Sequence, residues 1–147
     1  MIIDVRRLKY SGKLDSDFLF DYVPKDSLLS LPGSVISGPV KVTGSLALHG
    51  DDVYVDGVVN CAIVGECARC LKRAEYNLTA EFSVVYATER QDEDDYLYHS
   101  GLVDLKLAVD DVLLINFPTV IYCKEECKGL CPICGKDLNE SSCDCKK

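Results

Sequence analysis

Six of the nine cysteines lie between Cys123 and Cys145, and closely spaced cysteine thiolates are the usual ligands of structural zinc sites. They form three motifs, C-x-x-x-C, C-x-x-C-G and C-x-C, separated by short polar spacers. In the middle motif two residues separate Cys131 from Cys134, so both sulfurs can reach one tetrahedral ion. Gly135 allows the left-handed backbone that turns the chain back under the sulfurs. The segment therefore predicts a structural zinc site with Cys131 and Cys134 as ligands.

The spacing leaves the other ligands of that ion open. Cys123 and Cys127 would complete a very compact site, whereas Cys143 and Cys145 would close a longer loop. Six thiolates could also hold two ions.

Disulfides are the alternative use of these cysteines, and they would require an oxidising compartment. The chain opens with M-I-I-D-V-R, which lacks the apolar core and cleavage site of a secretory signal, and nine cysteines cannot all pair. No apolar run approaches the length needed to cross a bilayer. We therefore expect reduced thiols, a cytoplasmic location and no membrane association.

A second motif, Cys67-Ala68-Arg69-Cys70, falls between two strand-like segments and has three interpretations. A redox dithiol would need its first cysteine at a helix N-terminus, but a strand-like segment follows here. The pair could instead complete a metal site with Cys131 and Cys134. It could also form a separate tight turn whose thiols pack or bind on their own.

Basic residues at this motif are the candidate contacts to RNA or to a partner, namely Arg69, Lys72 and Arg73. A solvated hairpin tip explains them equally well. The chain has a net charge of −8, and residues 123–147 hold five lysines and five acids, so the first 122 residues carry all of that charge. This balance argues against non-specific nucleic-acid binding and restricts any RNA contact to a local surface.

The apolar pattern predicts an antiparallel β meander. β-Branched and alternating segments follow one another with short turns and without a helix-length spacer. The predicted strands are Met1–Leu8, Phe18–Val23, Val40–Leu48, Val53–Val64 and Tyr76–Tyr86.

One amphipathic helix is predicted from Leu105 to Asn116, with Asp104 as its N-cap and Pro118 at its end. Asp110 and Asp111 fall on its polar face. The predicted class is thus α+β and mostly β, with a β domain over residues 1–122 and a cysteine-rich, zinc-binding tail over residues 123–147.

The sequence shows no catalytic constellation. His49 and His99 have no nucleophile signature nearby, and no phosphate-binding or dinucleotide-binding loop is present. The acidic run over residues 92–95 is typical of a solvated loop. We expect neither an enzyme nor a small-molecule substrate.

Together these motifs resemble the YceD family, the large ribosomal RNA subunit accumulation proteins. The resemblance rests on Cys67-x-x-Cys70-Leu71, on Val103-Asp104-Leu105 with the following helix, and on C-x-x-x-C-x-G-L-C-x-x-C-G-x-x-L-N before a final C-x-C. The sequence resembles the cysteine-rich branch of the family, which is typical of Gram-positive bacteria and of chloroplast relatives. The resemblance implies a non-enzymatic ribosome biogenesis factor for large-subunit rRNA, with rRNA, a pre-ribosomal particle or a ribosomal protein as partner. Other branches keep the hairpin motif but lack most C-terminal cysteines, which implies that hairpin and tail cysteines are separate features.

Two other functions remain as alternatives. The acidic body suits a zinc-stabilised module that binds a basic partner such as a ribosomal protein. Less favoured is a dithiol redox protein that uses Cys67 and Cys70.

Overall fold

A five-stranded sheet in the order β2–β3–β4–β5–β6 is the main element of the computed structural model, which describes residues 1–25, 28 and 31–145. Strands β2 to β5 are antiparallel neighbours, β6 runs parallel to β5, and β1 pairs with β7 in a separate two-stranded sheet. The elements are β1 (Ile2–Asp4), α1 (Val5–Ser11), β2 (Asp15–Tyr22), β3 (Val35–His49), β4 (Asp52–Glu66), β5 (Arg73–Ala87), β6 (Tyr96–Leu97), β7 (Leu102–Asp104) and α2 (Lys106–Asn116).

The predicted fold class is confirmed, and three of the five predicted strands lie inside longer ones. The antiparallel meander consists of β2 to β5, and α2 follows it before the cysteine-rich tail. Lys146 and Lys147, the last residues of the predicted tail, lie outside the described residues. Neither described helix is long and apolar enough to span a membrane.

The N-terminal strand was predicted too long. Only Ile2–Asp4 is extended, and α1 begins at Val5. The Asp4 side chain accepts a hydrogen bond from the Arg6 N–H and caps this helix, and Gly12 ends it with a φ of 71°. An N-cap aspartate and a left-handed glycine eight residues later were the available sequence signals for a helix.

Helix α2 covers one face of the sheet with its apolar side. Ala108, Val109 and Leu113 are buried in the same core as the inward-facing residues of β3, β4 and β5. The helix begins at Lys106, one residue after the predicted start, so its N-cap is Leu105 and not the predicted Asp104. The Asp104 carboxylate still accepts the Lys106 N–H at 3.0 Å.

Asp110 was predicted on the solvent face of α2 but is 8% exposed. The Tyr22 hydroxyl donates to its carboxylate at 2.6 Å, and the Lys106 ammonium contacts it at 2.8 Å. A buried carboxylate is tolerated only with such partners. These contacts attach the edge strand β2 to the helix.

A row of four residues crosses the sheet on its core face. Gly44 pairs with Phe18 of β2 and with Gly57 of β4, and Gly57 pairs with Phe82 of β5. A Cβ atom on Gly57 would lie 2.6 Å from the Phe82 ring and 3.0 Å from the Thr43 carbonyl oxygen. The glycines therefore make room for the two phenylalanine rings.

Gly57→Ala should lower the free energy of unfolding by about 1–3 kcal/mol, because the added methyl overpacks this row. Urea denaturation measures the change. Ser45→Ala, on the exposed face of the neighbouring strand, is the matched control and should change stability by no more than about 0.5 kcal/mol. Equal midpoints for the two variants would contradict this packing.

Candidate metal centres

The connection between β4 and β5 meets the chain that follows α2 at a group of four cysteines. Cys67 and Cys70 come from the hairpin, and Cys123 and Cys127 from the tail, and we call this group the hairpin site. The Cys67 and Cys127 sulfurs are 3.8 Å apart, those of Cys70 and Cys123 are 3.5 Å apart, and all four lie within 4.8 Å of one another.

A second group lies entirely in the tail and contains Cys131, Cys134, Cys143 and Cys145. Its sulfurs also lie within 4.8 Å of one another. We call it the tail site. The structure thus groups Cys131 and Cys134 with the C-x-C pair and places Cys123 and Cys127 elsewhere.

These separations fit a metal ion rather than disulfides. Two sulfurs bound tetrahedrally at about 2.3 Å lie about 3.8 Å apart, whereas a disulfide requires about 2.05 Å. All nine cysteines are free thiols. Each of the two groups could therefore hold one ion.

The hairpin site is built on a tight turn in the backbone. The Cys67 N–H donates to the Lys72 carbonyl at 2.8 Å, and the Leu71 N–H donates to the Cys67 carbonyl at 2.9 Å. The Arg69 N–H points at the Cys67 sulfur at 3.5 Å, and Leu71 has a φ of 60°. This turn directs the sulfurs of Cys67 and Cys70 to the same side.

The tail site repeats this turn. The Cys131 N–H donates to the Lys136 carbonyl at 2.8 Å, and the Gly135 N–H donates to the Cys131 carbonyl at 2.8 Å. The Ile133 N–H lies 3.4 Å from the Cys131 sulfur, and Gly135 has a φ of 72°. The two C-x-x-C segments therefore form equivalent turns, one between the strands and one in the tail, and we call these turns the first and second knuckle.

Metal ligation by Cys67 and Cys70 was one of three interpretations of the first knuckle, and the structure groups this pair with Cys123 and Cys127 rather than with Cys131 and Cys134. The sequence did not single out this interpretation because Leu71 occupies the position that Gly135 has in the second knuckle. A left-handed φ is unfavourable for leucine and usually signals glycine. The only other sequence signal for a metal site here was the C-x-x-C motif itself, with basic residues beside it and a strand on each side. The other two ligands of such a site depend on the tertiary fold.

The surroundings favour the thiolate at the first cysteine of each knuckle. Burial raises the pKa of Cys67, but hydrogen bonds from the backbone of Cys123, Arg69 and Cys70 outweigh it and hold that pKa at about 6. Backbone hydrogen bonds from Cys134 and Ile133 lower the pKa of Cys131 to about 6.

Neighbouring cysteine side chains raise the pKa of another sulfur in each group. The neighbouring Cys70 sulfur raises the pKa of Cys123 to about 12, and that of Cys134 raises the pKa of Cys145 to about 12. A divalent cation would displace the protons of these thiols and allow all four thiolates of a group to form.

The segment after α2 brings the tail cysteines to the hairpin. Ile121 is buried in the core, and its carbonyl accepts the Ala68 N–H at 2.8 Å. The Arg69 guanidinium lies 4.6 Å from the centre of the Tyr122 ring and donates to the Cys127 carbonyl at 3.0 Å. These contacts correct the expectation that hairpin and tail cysteines are separate features.

Close backbone approach also joins the tail site to the hairpin. The Leu130 N–H donates to the Arg69 carbonyl at 3.1 Å. A Cβ atom on Gly129 would lie 2.9 Å from that same oxygen, and Gly129 has a φ of 73°. The Asn139 amide contacts the Cys127 sulfur at 3.4 Å and accepts the Lys128 N–H at 2.9 Å. The G-L and L-N pairs of the tail thus dock the second knuckle on the first.

The basic residues of the hairpin tip differ in their surroundings. Arg69 contacts Tyr122 and tail carbonyls, and Lys72 forms ion pairs with Asp137 at 2.8 Å and with Glu140. Arg73 is exposed and has no ion pair among the described residues. Two of the three candidate contacts to RNA therefore stabilise the tail, while their contact to RNA stays a prediction.

Replacing one cysteine of each group should show which segment each group holds in place. Cys127→Ser should speed amide exchange at Cys67, Ala68 and Leu71 roughly tenfold or more, because the hairpin turn loses its partner in the tail. Cys143→Ser should leave those amides protected and expose only the tail. Hydrogen exchange followed by NMR measures both. Equal protection of the hairpin amides in the two variants would contradict the assignment of Cys127 to the hairpin site.

Comparisons with known proteins agree with the family resemblance. The family model for the large ribosomal RNA subunit accumulation protein YceD matches residues 55–147, which is more than half of the chain and includes all eight cysteines of the two sites. No solved structure matches the chain.

The relatives include bacterial and chloroplast proteins. An uncharacterised protein of Mycobacterium leprae is 35% identical over 107 residues, which cover 68% of this chain and 49% of that protein. An uncharacterised protein of Mycobacterium tuberculosis is 35% identical over 95 residues, covering 60% of this chain and 46% of that protein. The chain therefore spans about half the length of these mycobacterial relatives.

The maize chloroplast protein named Large ribosomal RNA subunit accumulation protein YCED homolog 1 is 24% identical over 189 residues, covering 97% of this chain and 64% of that protein. This relative carries the family's name and covers nearly the whole chain, and the family model covers the sheet's C-terminal strands, α2 and both cysteine groups. The chain belongs to the YceD family of large ribosomal RNA subunit accumulation proteins.

Proposed function

We propose that this chain is a non-enzymatic, cytoplasmic factor that supports the accumulation or processing of large-subunit rRNA, acting on that RNA or on a pre-ribosomal particle. The family match over residues 55–147 carries the proposal. The maize relative's name refers to the same role. The cysteines most suited to chemistry are grouped with one another in knuckles, an arrangement typical of structural metal sites.

A thiol redox role receives less support from the same residues. Cys67 lies between strands rather than at a helix N-terminus, which is the usual origin of a reactive dithiol. Its sulfur lies 3.8 Å from that of Cys127, on a different segment. The hairpin pair is therefore better suited to shared metal ligation than to exchange within one C-x-x-C motif.

The two groups would hold one structural zinc ion each. Four thiolates in tetrahedral arrangement favour zinc over harder divalent ions, and the sulfur separations of 3.5 and 3.8 Å match its size. Zinc would neutralise part of the thiolate charge and hold the tail against the hairpin.

Protein purified without chelator should contain two zinc ions per chain, and Cys127→Ser and Cys143→Ser should each retain about one. Native mass spectrometry counts the ions. A wild-type protein that is folded and free of metal would disprove the zinc assignment.

Deleting the gene should lower the ratio of large-subunit to small-subunit rRNA in the organism that carries it. Wild-type protein should restore the ratio, whereas Cys127→Ser should fail because its tail is not held. Cys61→Ala, at a buried cysteine outside both groups, is the matched control and should restore it. Normal rRNA in the deletion strain, with the tagged protein absent from every ribosomal fraction, would refute the proposed function.

A further inference from the structure

The face of the sheet that points away from the core is strongly acidic. Residues paired across β2, β3, β4 and β5 share this outer face, since directly opposed residues lie on the same side of an antiparallel sheet. Its bases in these strands are Lys41 and Arg73. Its acids include Asp15, Asp17, Asp21, Asp56, Glu75 and Glu81.

An open groove of about 710 Å³ lies in the middle of this face. Asp17, Ser45, Asp56 and Ser83 cross it as one row on four neighbouring strands, and Glu81 lies beside them. The groove is lined by three acids and by no basic residue. None of these three acids forms an ion pair within the described part of the chain.

The acidic surface continues past the edge of β5. Ser83 also lines a second groove, of about 1170 Å³, whose other residues include the run Asp92–Asp95, Leu107 of α2 and one base, Arg90. Leu107 is 61% exposed. On the side away from β4, β5 pairs with β6 only at Tyr86 and Ala87, so its edge from Arg73 to Val85 is paired by no described strand. The surface formed by the two grooves and the β5 edge therefore combines negative charge, exposed apolar side chains and unpaired backbone groups.

We propose that this outer face is a docking surface for an extended, lysine- and arginine-rich protein segment. Charge complementarity selects a basic partner and repels a nucleic-acid backbone. The open β5 edge and the exposed Leu107 favour a polypeptide, which can add main-chain hydrogen bonds and apolar contacts to the ionic ones. This inference rests on the proposed function, because a factor that works on pre-ribosomal particles meets many basic proteins.

Titration with a fluorescent 20-residue peptide of alternating lysine and glycine, at 0.15 M salt, tests the surface. The groove variant combines Asp17→Asn, Asp56→Asn and Glu81→Gln. The matched control combines Glu89→Gln, Glu125→Gln and Glu126→Gln, which removes the same charge from exposed positions outside the first groove. The groove variant should bind the peptide about tenfold more weakly than wild type, while the control should stay within about twofold.

Amide shifts measured during the titration should concentrate on β2 to β5 around Asp56, and the urea midpoint of each variant reports its folding. Equal weakening in both variants would show general charge attraction and overturn the proposal, as would unchanged binding in the groove variant. Tighter binding of a 20-nucleotide single-stranded RNA to this face would also overturn it. The rRNA phenotype of the deletion strain is independent of these outcomes, so failure here would leave the proposed function standing.

Discussion

Four sulfur atoms within 4.8 Å of one another at the hairpin site are the constraint on which the placement of the tail depends. Two come from the turn between β4 and β5, and two come from the chain more than 50 residues later. Thiolates at this distance repel one another unless a cation lies between them, so the proton or metal content of the group controls whether the segments stay together. Three other contacts lie around this site. The chain returns to it after α2, Arg69 stacks on Tyr122 beside it, and the tail docks on the hairpin next to it.

The two ends of the sheet differ in charge. At one end the knuckles hold a neutral tail against the basic hairpin tip, whose Arg69 and Lys72 contact tail groups. Toward the other end the sheet presents its acidic outer face around Asp56, about 35 Å along β4 from the hairpin. Such a separation of charge suits the two proposals made above, because one uniformly acidic surface would repel RNA while attracting a basic protein. The sheet provides the rigid distance between the two ends.

Sequence patterns anticipated the elements better than their connections. The period-two pattern of β5 and the 3.6-residue period of α2 are local, and both elements lie where these patterns predicted them. Asp110 is an exception on α2: it is buried, and Tyr22 and Lys106 contact its carboxylate. Residues Cys131 to Gly135 were recognisable because two residues separate the cysteines and Gly135 favours the turn. The cysteines that group with Cys123 and Cys127 could not be predicted, because the spacing permits several sets of four ligands. Which set forms depends on the path of the chain after Phe117. Leu71 concealed the equivalence of the two knuckles, and Asp4 and Gly12 marked a helix that the β-branched residues around them obscured.

X-ray absorption at the zinc edge, on protein purified without chelator, tests most directly that both groups are all-thiolate metal centres. We expect four sulfur neighbours per zinc at about 2.3 Å and no nitrogen or oxygen in the coordination shell. A shell that mixes sulfur with nitrogen or oxygen, or the absence of bound metal from folded protein, would contradict this assignment.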